Sequence, residues 1–240
     1  MTNTAIPTPS FRGPSLILLA IVHILIFEVG FVAAMVLRHG APFVTPFAPA
    51  AELHQFLAQS PTAVRVSNFF LFGSAVPLGI FAVTAVSRLR FLGVRAAGTN
   101  IALLGGLIAT IALLLSGAVG WIFSVPEVLD SAPVMKAMVF LNFLLGGAVF
   151  SVGFGLLAAG ISVTSYFTRL LPRWVAALGM VVAIAGELSS FSLIAYPANF
   201  FIPVTRFVGF IWMLSVAITL KKNRTLEHVA NTGDPQSIAT

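Results

Sequence analysis

Six long runs of apolar residues, separated by shorter polar or basic segments, dominate the pattern along the chain. About 20 helical residues cross a bilayer core about 30 Å thick, and each of the six runs reaches that length. The pattern therefore predicts an all-α, polytopic membrane bundle of six transmembrane helices. The predicted helices cover residues 14–37, 64–87, 99–124, 133–166, 173–196 and 202–220. The fourth is longer than a perpendicular crossing needs, so it should tilt or project from the membrane.

The first run is predicted to be a retained helix rather than a cleaved signal peptide. Its apolar stretch is longer than the about 7–15 residues of a signal sequence, and it contains His23 and Glu28. Residues 1–224 are predicted to form a single transmembrane domain. The tail 225–240 is polar and is predicted to be a disordered cytoplasmic segment.

The longest connection, residues 38–63, has a pattern of its own. It begins Pro-rich at 41–49 and continues as an amphipathic stretch at 51–57, in which Leu53, Phe56 and Leu57 share one helical face. This spacing predicts a short interfacial helix in the first outer loop. The helix would either lie on the membrane surface or act as a lid.

The composition excludes a water-soluble globule. Apolar residues make up 58% of the chain and charged residues only 8%, whereas a soluble domain is about half apolar and a quarter charged. Cysteine is absent, which excludes disulfides, thiolate metal sites and cysteine nucleophiles.

The basic residues predict the orientation, since Lys and Arg concentrate in cytoplasmic loops. The chain carries 13 basic and 7 acidic residues. With both termini in the cytoplasm, nine basic residues lie inside: Arg12, Arg88, Arg90, Arg95, Arg169, Arg173, Lys221, Lys222 and Arg224. Four lie outside: Arg38, Arg65, Lys136 and Arg206. We therefore predict that both ends of the chain lie in the cytoplasm.

Small residues predict where the helices pack most closely, because membrane helices associate through close backbone approach. The fourth run has a stripe at four-residue spacing, and the third offers a matching series, so these two helices are predicted to make the tightest contact. The stripe is Gly147, Ser151, Gly155 and Ala159; the series is Gly105, Ala109, Ala112, Ser116 and Gly120. Pro77 lies in the middle of the second run and leaves the Gly73 carbonyl without its helical donor, which predicts a kink.

Two carboxylates lie deep in the predicted spans, where an ionisable group is expensive and marks a candidate functional site. Glu28 lies fourteen residues after Pro14, and Glu187 fourteen after Arg173. At the helical rise both lie about 21 Å from the cytoplasmic helix end. The equal depth predicts that they could share one cavity and bind a ligand or a proton.

Three cations lie near the predicted outer helix ends, and two amides lie deeper on the same helices. The cations are Arg65, Lys136 and Arg206, and the amides are Asn68 and Asn142. Together they predict an outward-facing polar cavity with acids at its floor and bases at its rim. The alternative is that the long basic side chains simply extend to the lipid headgroups.

His23 is a further candidate for binding a ligand or a proton, since it lies near the membrane midplane. It lies about 140° around the helix from Glu28, so the two do not share a face. A lone membrane histidine more often bonds to a neighbouring helix than to a metal. A haem held by His23 and Met180 is conceivable but has no supporting pattern. Ligand spacings for zinc or di-iron, nucleophile elbows and phosphate-binding loops are absent from the sequence. No metal, cofactor or catalytic residue is predicted.

Three segments resemble small six-span bacterial inner-membrane proteins of unknown function. They are SRLRFLGVRAAG (87–98) leading into ALLGG (102–106), LPRWVAALG (171–179) and FIPVTRFVGFIW (201–212). The resemblance implies a bacterial inner-membrane location and the same number of helices. It draws attention to Arg206, which lies within the third segment.

The best functional hypothesis is binding or transport of a small molecule or ion through the outward-facing cavity. One alternative is an intramembrane enzyme acting on a lipid or isoprenoid, with a glutamate as general acid or base. Another is a structural or regulatory subunit whose small-residue stripe docks a partner helix or a second copy. The expected partners are membrane lipids and a small ligand, not nucleic acid.

Overall fold

The computed structural model describes residues 10–40 and 44–222, and within these ranges it consists of helices and their connections, without strands. Six helices are long and apolar enough to cross a membrane. The all-α, six-span prediction is confirmed. The helices are α1 (Leu16–Leu37), α2 (Ala50–Gln59), α3 (Pro61–Phe91), α4 (Gly98–Ile122), α5 (Pro126–Leu129), α6 (Ala132–Leu144), α7 (Phe150–Thr168), α8 (Arg173–Leu188) and α9 (Phe201–Thr219). The predicted polar tail lies outside the described residues.

The long fourth span is one helical rod of 37 residues, Ala132–Thr168, interrupted by a single wide turn. Leu145–Val149 forms a π-helical turn between α6 and α7. At the helical rise the rod is about 55 Å long, nearly twice the thickness of a bilayer core. The sixth span begins with a 3₁₀ turn, Tyr196–Phe200, that leads directly into α9.

The spanning helices pack as a closed ring in which neighbours along the chain are neighbours in space. The order is α1, α3, α4, α7, α8 and α9, and α9 packs back against α1. The interior is filled by large side chains that are fully buried, such as Phe81, Phe154 and Trp212. Trp212 donates its indole N–H to the Ser162 hydroxyl at 3.1 Å, which satisfies the polar atom that this large side chain brings into the core.

The third and fourth spans approach closely, as predicted. On the third span the contact includes Gly105 of the predicted series, whereas on the fourth span it lies at Gly153, outside the predicted stripe. A Cβ placed on Gly105 would lie against the backbone nitrogen of Leu157 and 2.5 Å from the Gly153 carbonyl oxygen. The predicted stripe faces other helices instead. Gly155 lies against Gly186 of α8, and Gly147 lies against Ile202 of α9. The stripe is therefore covered within the chain.

The predicted short helix in the first connection is present as α2, and its apolar face packs onto the bundle. Leu53 and Leu57 are buried in one cluster with Phe123, which directly follows α4, and with Met135 and Val139 of α6. Burying this face against protein rather than lipid fits the lid alternative. We call the end of the bundle that carries α2 the α2 end.

Candidate functional site

A cavity of about 440 Å³ lies beneath α2 at the α2 end of the bundle. It is bounded by α1, α3, the fourth span around its π-turn, and the first turns of α9. Most of its wall is apolar. The polar groups on the wall are two arginines, two amides and three hydroxyls: Arg38, Arg206, Asn68, Asn142, Ser60, Ser67 and Ser116.

Arg206 is held in a fixed position on this wall. Its guanidinium lies between two aromatic rings, 4.9 Å from the Phe27 centroid and 4.5 Å from the Phe150 centroid. Its Nη2 donates to the Gly146 carbonyl oxygen. Two cation–π contacts in an apolar setting stabilise the charged form and restrict the side chain. The guanidinium is therefore positioned before any ligand arrives.

The π-turn explains why the Gly146 carbonyl can accept from Arg206. In an α-helix the Phe150 N–H would bond to the carbonyl four residues earlier, which is that of Gly146. Here the Phe150 N–H bonds instead to the carbonyls of Gly147 and of Leu145, which lies five residues earlier. The wider turn thus releases the Gly146 oxygen for a side chain, an arrangement typical of π-turns at functional positions.

The two amides lie where α3, α4 and α6 converge. Asn142 donates to the Ser116 carbonyl at 2.7 Å, and Asn68 donates to the Val64 carbonyl of its own helix at 2.7 Å. Both amides pack closely against Gly120, since a Cβ there would lie against the Asn68 Oδ1 and 2.8 Å from the Asn142 Nδ2. The structure thus brings together Asn68, Asn142 and Arg206 on one cavity wall.

The other two predicted rim cations are not on the described wall of this cavity. Arg65 is exposed and donates to the Ser124 carbonyl at 3.3 Å. Lys136 donates to the Ala48 carbonyl at 3.3 Å and so ties the segment before α2 to the fourth span. Both therefore contact connecting segments at the α2 end, and Arg206 alone of the three predicted rim cations reaches the cavity.

The predicted acidic floor is not what lines this cavity, since neither Glu28 nor Glu187 is among its described wall residues. Glu187 lies in the last turn of α8 and is exposed on the outside of the bundle. Glu28 is half-buried and lies within electrostatic range of Arg206. Equal depth did not place the two acids on the wall of this cavity, because depth along a helix does not fix the direction in which a side chain faces.

His23 is buried away from the cavity and bonds to a neighbouring helix, the more frequent role for a membrane histidine. Its Nδ1 lies 2.7 Å from the Ser74 carbonyl oxygen of α3, three residues before Pro77. Since a carbonyl only accepts, the Nδ1 carries the proton. The ring packs edge-on against Phe210 at 5.6 Å. His23 therefore connects α1, α3 and α9 next to the proline.

We expect His23→Leu to lower the free energy of unfolding by about 0.6 kcal/mol and by no more than about 1.7 kcal/mol, the mean and the maximum measured for hydrogen bonds between membrane helices. His23→Gln retains a donor and should recover part of the loss. Denaturant titration of the purified protein, followed by tryptophan fluorescence, measures both changes. An unchanged stability in His23→Leu would contradict a stabilising role for this bond.

Arg38 and the apolar part of the wall were not predicted as site residues. Arg38 follows the last residue of α1, and its guanidinium lies 5.9 Å from the Phe56 ring of α2. The sequence did place Arg38 on the same side of the membrane as Arg206. The predicted location of both arginines at the same membrane face could have indicated that they share a site. That location served only to predict the orientation.

The six apolar helices and their closed packing define a multi-pass membrane protein. No protein-family model, curated protein or solved structure matches the chain.

Proposed function

We propose that this protein binds a small molecule in the α2-end cavity. The observation that carries the proposal is Arg206, a charged side chain on the wall of a cavity inside an apolar bundle. Ionisable residues within membrane spans are costly and mark ligand or ion sites. The volume lies within the about 300–1,000 Å³ of small-molecule pockets, and an apolar wall with a few fixed polar groups is their usual composition.

The two other functional hypotheses receive less support. Among residues 10–40 and 44–222 no group of three or more His, Asp or Glu side chains could hold a metal ion. The bonds of His23 run to the backbone of α3. The small-residue stripe that could have docked a partner helix is covered by α8 and α9. Binding in the cavity is therefore the function that the geometry favours.

We further propose that both termini lie in the cytoplasm of a bacterial cell and that the α2 end faces outward across the inner membrane. The excess of basic residues at the opposite end supports the orientation. The resemblance of three segments to bacterial six-span proteins supports the location. In this orientation the cavity lies in the outer half of the membrane, beneath α2.

A cysteine at Ser67 should react with a small thiol reagent, because Ser67 lines the cavity and is half-buried. The chain has no cysteine of its own, so a single introduced thiol is the only target. We expect methyl methanethiosulfonate to modify Ser67→Cys about tenfold faster or more than Ser74→Cys, since thiol modification requires access. Rates are measured by mass spectrometry on protein in lipid nanodiscs.

Ser74→Cys is the matched control: it is the same substitution on the same helix, at a position with 0% exposure. Equal and negligible rates at the two positions would mean that the cavity is sealed. That result would overturn the proposed function.

A further inference from the structure

We propose that the ligand of the α2-end cavity is an anionic amphiphile, a molecule with one oxyanion head and one apolar chain. This inference rests on the proposed function and names its ligand class. Three independent features of the wall carry it: the sign of its charge, the donors around Arg206, and the position of its apolar part.

The charge of the wall selects an anion. Its two charged side chains are Arg38 and Arg206, and no Asp or Glu is among the described residues that line it. Glu28 is within electrostatic range of Arg206 but is not among the described residues that line the cavity, so the charged side chains that a ligand meets there are arginines. A cation in a low-dielectric span is stabilised by a paired anion. The wall therefore favours a negatively charged ligand over a neutral or cationic one.

The donors around Arg206 fit an oxyanion. The Arg206 Nε–H is buried and has no acceptor in the described part of the chain. A guanidinium presents its N–H groups as a planar fork that matches the oxygens of a carboxylate or a phosphate. The flanking rings and the Gly146 carbonyl hold this fork in place. A bound oxyanion would supply the acceptor that the Nε–H lacks.

The amides add neutral donors to the same cavity. Asn68 and Asn142 each use their nitrogen to donate to a backbone carbonyl, and an amide nitrogen carries two hydrogens. Each therefore retains one N–H for a further acceptor. A head with several oxygens, such as a phosphate, could use more of these donors than a carboxylate.

The apolar part of the wall reaches the surface of the bundle that contacts lipid. Phe31 and Met35 of α1 line the cavity and are 49% and 50% exposed. Val139, Phe143 and Ile202 continue the apolar wall inward. An apolar chain can thus extend from the head toward the bilayer, and such a ligand can enter from the membrane. A wholly polar anion would not cover the apolar part of the cavity wall.

The test measures how strongly four probes slow the modification of Ser67→Cys by methyl methanethiosulfonate in nanodiscs of zwitterionic lipid. The probes are dodecyl phosphate, dodecanoate, dodecanol and inorganic phosphate. The reagent is neutral, so the charge that an anionic amphiphile adds to the nanodisc does not change its local concentration. Gln59→Cys, on the exposed side of α2, reports any general effect of the amphiphiles.

We expect dodecyl phosphate or dodecanoate to protect Ser67→Cys at concentrations about tenfold lower than dodecanol, a difference typical of one charged contact. The stronger of the two identifies the head as phosphate or carboxylate. Inorganic phosphate should give no protection, because it lacks the chain. Arg206→Gln should abolish the advantage over dodecanol, whereas Arg173→Gln, an exposed arginine at the opposite end, should preserve it.

The outcomes separate the two proposals. If Ser67→Cys reacts and dodecanol protects as well as the anions do, the cavity binds small molecules but the anionic class is wrong. If inorganic phosphate alone protects, the amphiphilic class is wrong. If Ser67→Cys does not react, the proposed function itself fails. If the melting curve of Arg206→Gln shows that this variant is unfolded, Arg206→Lys takes its place. Lysine retains the charge but lacks the planar fork, so Arg206→Lys should weaken the advantage of the anions over dodecanol.

Discussion

A cysteine at Gln59 should be labelled almost completely by a membrane-impermeant maleimide added to intact cells, whereas one at Ala96 should remain unlabelled until the cells are lysed. Gln59 ends α2 and Ala96 lies in the connection between α3 and α4, so the two residues lie at opposite ends of the bundle. Both are exposed, and both are uncharged. Neither substitution therefore alters the balance of basic residues that sets the orientation.

The expected difference is all or none, because the bilayer separates the two positions. Labelling of both cysteines after lysis is the control for their reactivity. The reverse pattern, with Ala96→Cys labelled in intact cells, would show that the α2 end faces the cytoplasm. It would move the cavity to the inner half of the membrane without changing its lining.

Replacing Gly105 with alanine should destabilise the protein by about 3 kcal/mol, the upper part of the range for overpacking a close-packed interior. A Cβ at this position would lie against the backbone nitrogen of Leu157 and 2.5 Å from the Gly153 carbonyl oxygen. Backbone atoms cannot rotate aside as a side chain can, so α4 and α7 would have to separate. Denaturant titration in nanodiscs or mild detergent measures the loss.

Gly73→Ala is the matched control, because it is the same substitution inside α3, another spanning helix. The nearest atom to a Cβ there is Ile26 Cγ2 at 3.8 Å, an ordinary contact. Alanine favours a helix over glycine by up to about 1 kcal/mol. Gly73→Ala should therefore leave stability unchanged or raise it. Equal destabilisation by the two substitutions would contradict the close α4–α7 contact.

The helices could be predicted from the sequence because each depends on the residues of a single segment. A bilayer fixes how long an apolar helix must be, and each of the six runs met that length. The helical spacing of Leu53, Phe56 and Leu57 predicted α2, because the spacing of apolar residues is also a local property of the sequence. Arg65 is exposed near a helix end, as expected of a long basic side chain that extends toward the headgroups, whereas Lys136 is half-buried and bonds to the Ala48 carbonyl.

Which side chains line the cavity depends on how each helix is rotated about its own axis. The length of an apolar run does not specify that rotation. Glu28 and Glu187 share a depth, yet Glu187 lies on the outside of α8. Arg206 reaches the cavity only because α9 packs beside α1 and places the guanidinium between Phe27 and Phe150. Close glycine contacts with particular neighbours set these rotations, and those contacts exist only after the chain has folded.

The six apolar runs and one amphipathic stretch were sufficient to predict a six-helix membrane bundle with a short helix in its first connection, since the cost of placing polar backbone in lipid leaves few alternatives. Which polar side chains share a cavity depended on how the helices pack in three dimensions. The over-long fourth span also contains a π-turn, which releases the Gly146 carbonyl for Arg206. The reason is physical: hydropathy is summed along one segment, whereas a site is built from side chains of several segments whose rotation is fixed by packing.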